Sequence, residues 1–438
     1  PPTLPNWAMI NSIEPDPFID GGCYLAATSY KSGDYKPYLF KTEDYGKTWT
    51  KITNGISEEH FTRVLRADPK KKGLLYCGTE RALYVSWSDG KNWVPFQLNL
   101  PIVPITDLAI KDDILIAATQ GRSIWTLDDL TPLRHGLPEV NVKKNFILPP
   151  KPTYRIEGSM NKKISNSGIN HPTEIMLYCF LDSVMENDTI QIFLLDQNRD
   201  TVNRFSNYPD EKSTSIELTS GSNLVLLNYR YPAAKSLDNM ILWWSSLSGP
   251  KAAPGQYKII FKSRQLFDST VCEIKRNMSY PVTDADVKKQ FDFIKNVRDK
   301  INDAHKTIYQ IRDVRSQMND VLSRVEKTTA TDTLFKLKDS INIQLTKIEN
   351  ELYQTKNKSG QDPINYPIKL TNKLAHLIAL YDSGSYPPTD QAEAYRIEAS
   401  ALVDLQIQKF EAIKTNELML LNQLIREKAV NVIKPKED

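Results

Sequence analysis

The sequence predicts a multidomain β-plus-α protein: a partial β-propeller over 1–144, a β-sandwich over 145–280 and an antiparallel bundle of long helices over 283–432. Three observations lead there. Roughly the first 130 residues repeat one apolar strand pattern three times, the middle alternates apolar and polar residues in short runs, and the end carries apolar residues at heptad spacing. At 438 residues the chain exceeds one ordinary core, and 40% hydrophobic with 25% charged residues is a soluble globular composition. With 56 basic against 53 acidic residues, the net charge of +3 gives no bulk attraction to nucleic acid. The basic runs Lys70-Lys71-Lys72, Lys143-Lys144 and Lys162-Lys163 sit beside turn-like sequence and read as solvated loops.

The repeat aligns Cys23-Tyr24-Leu25-Ala26-Ala27-Thr28 with Leu74-Leu75-Tyr76-Cys77-Gly78-Thr79 and Ile114-Leu115-Ile116-Ala117-Ala118-Thr119. Each is expected as an inner blade strand, its small residues allowing close packing near a propeller axis. A second strand follows in each copy: Tyr38-Leu39-Phe40-Lys41, Leu83-Tyr84-Val85-Ser86 and Ile124-Trp125-Thr126-Leu127. Then comes Thr42-Glu43-Asp44-Tyr45-Gly46-Lys47-Thr48-Trp49, answered by Ser86-Trp87-Ser88-Asp89-Gly90-Lys91-Asn92-Trp93. Both octapeptides resemble the Asp-box (S/T-x-D-x-G-x-T-W, the BNR repeat) of sialidase-like and sortilin-like propellers. Its structural positions here are Thr42, Asp44, Gly46 and Trp49, then Ser86, Asp89, Gly90 and Trp93. An Asp accepts turn N–H groups, Gly supplies a positive φ, and Trp tucks against the hairpin. The second copy has Ser88 where Asp is usual, and the third keeps only Asp128-Asp129. Three blades cannot close a propeller. The opening Pro1-Pro2-Thr3-Leu4-Pro5 reads as the middle of a longer chain, so missing N-terminal blades or a protein partner are expected to complete the ring.

The middle offers about eight strands (174–182, 189–196, 201–205, 213–218, 223–231, 240–244, 256–262 and 270–275), a density that indicates a sandwich. Within it, Ala253-Pro254-Gly255-Gln256-Tyr257-Lys258-Ile259-Ile260-Phe261 resembles the P-G-x-Y hairpin of immunoglobulin-like and fibronectin-like modules. Trp243-Trp244 is weighed as core against a sugar-stacking platform, with at least one ring expected in the core. The four cysteines (Cys23, Cys77, Cys179, Cys272) show no zinc spacing. A Cys179–Cys272 disulfide stays open, with buried free thiols as the default.

Thr283 reads as an N-cap. Beyond it Val287, Ile294, Ile301, Ile308 and Leu322 share one heptad position, and Val297, Ala304, Ile311, Met318 and Val325 another. That spacing sustains a helix of about 43 residues, on the order of 65 Å. Further helices are expected over 332–354, 368–382 and 390–429, and an exposed remainder of the apolar stripe could serve a partner. His305, Arg312 and Arg315 interrupt the stripe and are expected to bury a polar contact or ion pair.

No residue set forms an active site, and no cofactor or metal is expected. The histidines (His60, His135, His171, His305, His376) are scattered, and HExxH, GxxxxGK, GxGxxG and GxSxG are absent. A sialidase needs an arginine cluster, yet Arg63, Arg66, Arg81, Arg122 and Arg134 do not occupy equivalent blade positions. A glycosidase needs two facing carboxylates, and nothing selects a pair among Glu80, Asp107, Asp112 and Asp113. No apolar run approaches the roughly 18–20 residues of a membrane-spanning helix.

Gly121-Arg122-Ser123-Ile124-Trp125-Thr126-Leu127-Asp128-Asp129-Leu130-Thr131-Pro132-Leu133, the first octapeptide with its preceding strand, and Ile311-Arg312-Asp313-Val314-Arg315-Ser316-Gln317 resemble one family over nearly the whole chain. That family is the sortilin-like (VPS10-type) BNR/Asp-box propeller proteins of Bacteroidota, often labelled glycosyl hydrolase. The resemblance implies further N-terminal blades and a periplasmic, outer-surface or secreted location in the cell envelope, near the outer membrane. It also gives meaning to D-S/T-aliphatic tripeptides, which resemble the O-glycosylation signal of that phylum, at Ser183, Thr189, Thr201, Ser269, Thr333 and Ser340. The resulting expectation is a non-catalytic envelope binding or scaffold protein, with the propeller as partner or ligand face and the helices as a docking arm. The alternative is a glycan-active, sialidase-like hydrolase whose active site lies mainly on blades outside this chain. A bare carbohydrate-binding module using Trp243 or Trp244 is a third reading.

Overall fold

Short apolar runs separated by Gly- and Asp-bearing turns fold as antiparallel meanders, because each turn returns the chain beside the strand just made. The computed structural model describes residues 1–135, 145–156, 170–185 and 187–427, so Lys143-Lys144, Lys162-Lys163 and 428–432 lie outside the described residues. Two compact units, Pro1–Lys144 and Asn145–Asp438, make up the chain.

In the first unit β1 (Met9–Pro15), β2 (Cys23–Ser29), β3 (Asp34–Thr42) and β4 (Thr50–Lys51) pair in that order. So do β5 (Thr62–Ala67), β6 (Leu75–Thr79), β7 (Leu83–Ser86) and β8 (Val94–Pro95). The third meander is β9 (Ile105–Lys111), β10 (Ile114–Thr119) and β11 (Ile124–Leu127), followed by the short α1 (Thr131–Arg134). The aligned segments expected as inner strands are instead the second strand of each meander. The strands before them pack against one another, β5 on β1 and β9 on β5. Small residues serve that packing. A Cβ at Gly78 would come within 2.7 Å of Ile105 and Val64 side chains, so β9 approaches β6 only because position 78 is bare. Thr62, fully buried, stitches the first two meanders: its Oγ1 donates to the Ala27 carbonyl (2.9 Å) and accepts from the Tyr38 N–H (3.2 Å).

The second unit opens with β12 (Asn145–Ile147), β13 (Thr153–Tyr154), β14 (Ile175–Leu181), β15 (Gln191–Leu195), β16 (Thr201–Ser206), β17 (Thr214–Ser215), β18 (Gly221–Leu227), β19 (Gly255–Lys262) and β20 (Phe267–Lys275). They form a three-stranded sheet (β12-β14-β18) and a six-stranded sheet (β13-β20-β19-β15-β16-β17). Alternation does the work here: Ile175, Leu177, Cys179 and Leu181 of β14 share one core with Ile192, Leu194, Ile259, Phe261, Cys272 and Ile274. Cys179 and Cys272 belong to different sheets and are free buried thiols, which closes the disulfide alternative; burial pushes each up to about 12. The strand expected over 240–244 does not form. Met240 and Leu242 run as irregular chain and pack on the helices, beside buried Ala234 and Leu237.

The helices are α2 (Asp284–Leu322), α3 (Asp332–Leu352), α4 (Leu370–Tyr381), α5 (Asp390–Thr415) and α6 (Glu417–Glu427). Thr283 caps α2 through a reciprocal pair with Asp286, whose carboxylate accepts the Thr283 N–H. The heptad residues Val297, Ile301, Ala304, Ile308, Ile311, Met318 and Leu322 are buried with Leu345, Leu374, Val403 and Phe410. The last expected helix is two: Asn416 leaves helical geometry (φ −110, ψ −77) and divides α5 from α6.

His305 is buried in α2, its Nδ1 bonded to the Lys235 carbonyl. Burial holds this imidazole below its usual pKa, outweighing the Lys235 carbonyl, and the Arg312 guanidinium pushes the same way. The unfolded chain, with an ordinary value of about 6.5, therefore takes up the proton first. We expect full stability above that pH and a loss of up to about 1.4 kcal/mol per pH unit beneath it. Thermal melts between pH 7.5 and 5 on the wild type and His305→Gln check this; identical pH profiles would refute it.

Candidate functional site

The turn after β3 is tied by its own side chains. Thr42 Oγ1 accepts the Gly46 N–H (3.0 Å), and Asp44 accepts the N–H (2.8 Å) and hydroxyl (2.7 Å) of Thr48. Those Thr48 bonds, the backbone one first, hold the Asp44 carboxyl down to about 2. Trp49 is half-buried and donates Nε1–H to the Gly46 carbonyl at 3.0 Å.

The turn after β7 repeats this with different atoms. Ser86 Oγ accepts the Gly90 N–H (3.0 Å), and Ser88 Oγ accepts the Asn92 N–H (3.0 Å), so Ser88 occupies the role of Asp44. Asp89 is the counterpart of Tyr45; both have positive φ (56° and 60°). Freed from the turn, the Asp89 carboxylate accepts the Tyr24 hydroxyl (2.6 Å) and pairs with Lys41, which also pairs with Glu43. Trp93 is buried and donates Nε1–H at 2.7 Å to the Ile52 carbonyl of the preceding meander. One motif thus locks its own hairpin, while the other clamps two meanders together. In the third copy Thr126 Oγ1 donates to Asp128 (2.7 Å) and Asp129 accepts the Thr131 N–H (2.9 Å).

Three of the arginines weighed for catalysis are held by carboxylates, and Asp112 pairs with Lys111 (3.6 Å). Arg63 pairs with Glu80 (2.6 Å), Arg66 with Asp107 (2.7 Å) and Glu14 (3.6 Å), and Arg134 with Asp68 (2.9 Å) and Asp113. Arg81 and Arg122 are exposed. Lys70, Lys71 and Lys72 are exposed, with Lys70 reaching Asp113 at 2.7 Å. Of the glycosylation candidates, Ser183 is half-buried in a loop, while Thr189, Thr201, Ser269, Thr333 and Ser340 are exposed.

The second unit holds an open groove lined by two tryptophans. Trp243 and Trp244 are 37% and 80% exposed, so neither ring enters the core as expected. Their backbone is strapped to α4. Asn372 accepts the Trp243 N–H (2.9 Å) and donates to the Trp243 carbonyl (3.0 Å), and His376 Nδ1 bonds the Trp244 carbonyl (2.8 Å). A carbonyl can only accept, so Nδ1 is the donor in that bond. Trp244 itself has φ 49°, a left-handed conformation uncommon for a bulky residue and costing on the order of 1 kcal/mol or more. Together with Ile368, Lys373, His376 and Tyr395 the two indoles line an open groove of about 580 Å³. Only the tryptophans were visible in the sequence. Asn372 and His376 stand at i and i+4 on α4, a spacing that marks one helix face but is hidden in a Leu-rich run.

Among the described residues no helix is long and apolar enough to cross a membrane, and no three His, Cys, Asp or Glu side chains group as metal ligands. By fold this is a mixed β and α protein built from helices and largely antiparallel sheets, with β13 on β20 and β17 on β16 parallel. No protein-family model matches the chain, and no curated protein matches it. Among solved structures it is similar to YCF48 bound to a D1 peptide, at 20% identity over 28% of this chain and 37% of that chain, TM-score 0.22. It is also similar to the GH74 xyloglucanase from Xanthomonas campestris (19% identity, 30% of this chain, 23% of that chain, TM-score 0.23). A third is the extracellular domain of a hybrid two-component system from B. thetaiotaomicron (11%, 61% and 31%, TM-score 0.22). The chain spans well under half the length of each.

Proposed function

We propose that the chain is a non-catalytic binding and scaffold protein of the cell envelope. The observation that carries this is the Trp243-Trp244 groove: two exposed indoles held in a strained, hydrogen-bonded backbone make a surface for recognition. In this reading residues 1–144 are the last blades of an Asp-box propeller, a partner face completed by further blades in the same polypeptide or another. Packing of β5 on β1 and β9 on β5 supports it, as do the two self-tied turns. Residues 145–280 are an immunoglobulin-like sandwich, supported by the Tyr257 hydroxyl, which donates to the Ala253 carbonyl four residues upstream (2.8 Å) as a tyrosine corner does. Residues 283–432 are an antiparallel bundle that docks to a partner, and the exposed D-S/T-aliphatic sites carry O-glycans.

Native mass spectrometry of the protein from its source envelope, alongside a reducing-end assay on envelope polysaccharides, tests this reading. A stoichiometric complex with a second polypeptide, sugar-sized mass increments and no sugar release are expected. A lone, unmodified species that releases sugars would replace it with the hydrolase alternative.

A further inference from the structure

The lining of the Trp groove narrows what it takes. Its one formal charge is the ammonium of Lys373, which is exposed and pairs with no carboxylate among the described residues. An extended peptide adding by its backbone would need free N–H and C=O groups. Here the Trp243 N–H, the Trp243 carbonyl and the Trp244 carbonyl are already taken by Asn372 and His376, and the Ser246 N–H by the Ala375 carbonyl. An apolar helix laid into the groove would leave the Lys373 ammonium without a partner and add nothing to recognise it. What the groove leaves available is two indole faces, the His376 and Tyr395 rings and the Lys373 ammonium. A pyranose chair, with axial C–H groups on one face, hydroxyls at its rim and a negative substituent, satisfies all of these at once. The volume of about 580 Å³ lies within the ordinary range of ligand sites, roughly 300–1,000 Å³.

We infer that this groove binds an acidic glycan, stacking a pyranose on Trp244 and Trp243 and pairing its carboxylate or sulfate with Lys373. The inference rests on the reading of the groove as a binding surface and adds the ligand class. The test is calorimetric titration of the full chain with hexagalacturonate, a hyaluronan hexasaccharide, a sialylated and a sulfated oligosaccharide, and neutral cellohexaose. At least one acidic glycan should bind ten-fold or more tighter than cellohexaose and weaken as salt is raised. Trp244→Ala, whose ring is exposed and whose circular dichroism should be unchanged, should abolish binding, and Lys373→Met should bring acidic and neutral glycans to equal affinity. Binding of none of the acidic glycans, equal binding of acidic and neutral ones, or full binding by Trp244→Ala overturns the inference. Should that happen while the native complex with a partner persists, only the ligand class falls and the scaffold reading stands.

Discussion

Trp93→Ala is expected to destabilise the first unit by about 3–5 kcal/mol, whereas Trp49→Ala should cost about 1–2 kcal/mol. The two residues hold the same place in their octapeptides, but their surroundings differ. Trp93 is 2% exposed, in one core with Tyr24, Leu39, Ile52 and Leu65. Its loss would open a cavity between meanders and leave the Ile52 carbonyl without its indole donor (2.7 Å). The loop around it cannot close the space, because Gly55 already lies against the Trp93 backbone: a Cβ there would sit 2.1 Å from the Trp93 carbonyl oxygen. Trp49, half-buried, bonds only its own turn at Gly46, so its truncation loosens one hairpin. Urea denaturation read by circular dichroism, with hydrogen exchange over residues 9–135 to locate the loss, separates the two. Equal shifts would mean that both tryptophans are local hairpin locks.

That difference explains what the sequence could and could not reveal. Local signals survived folding in part: Thr283 caps its helix, Ile175, Leu177, Cys179 and Leu181 alternate into the core, and the heptad residues up to Leu322 are buried, although α2 ends there and Val325, expected within it, lies beyond. Each depends on atoms a few residues apart, where backbone geometry leaves little choice. Non-local choices did not show. The strand expected at 240–244 has β-type residues, yet Asn372, His376 and Tyr353 capture its backbone and a regular strand would forfeit those bonds. Asp89 matched a turn consensus by proximity, but its partners Tyr24 and Lys41 stand in another meander. The Trp243-Trp244 groove was half legible: two adjacent tryptophans announce it, while the histidine and lysine beside them arrive from a helix about 130 positions later.

Arg312 and Arg315 were expected to bury a polar contact, and the side chain that receives them is Glu349 of α3, 5% exposed and bonded at 2.8 Å and 2.9 Å. Glu349→Ala should cost about 2–3 kcal/mol of global stability. A fully buried pair broken on one side costs about 3–5 kcal/mol, but here the guanidinium side chains remain 34% and 28% exposed and can turn toward water. Glu349→Gln should recover part of the loss, because its Oε1 still accepts from one guanidinium while its NH2 cannot accept from the other. The instructive variant is the triple replacement Glu349→Leu, Arg312→Met, Arg315→Leu. If the charges serve to set the register of α2 on α3 and add little net energy, the triple variant should melt at or above the wild-type temperature. It should also exchange amide hydrogens faster along α3, because an all-apolar seam no longer distinguishes one helical register from its neighbour. A triple variant as unstable as Glu349→Ala alone would mean that the ion triad itself supplies the stability of this helix pair.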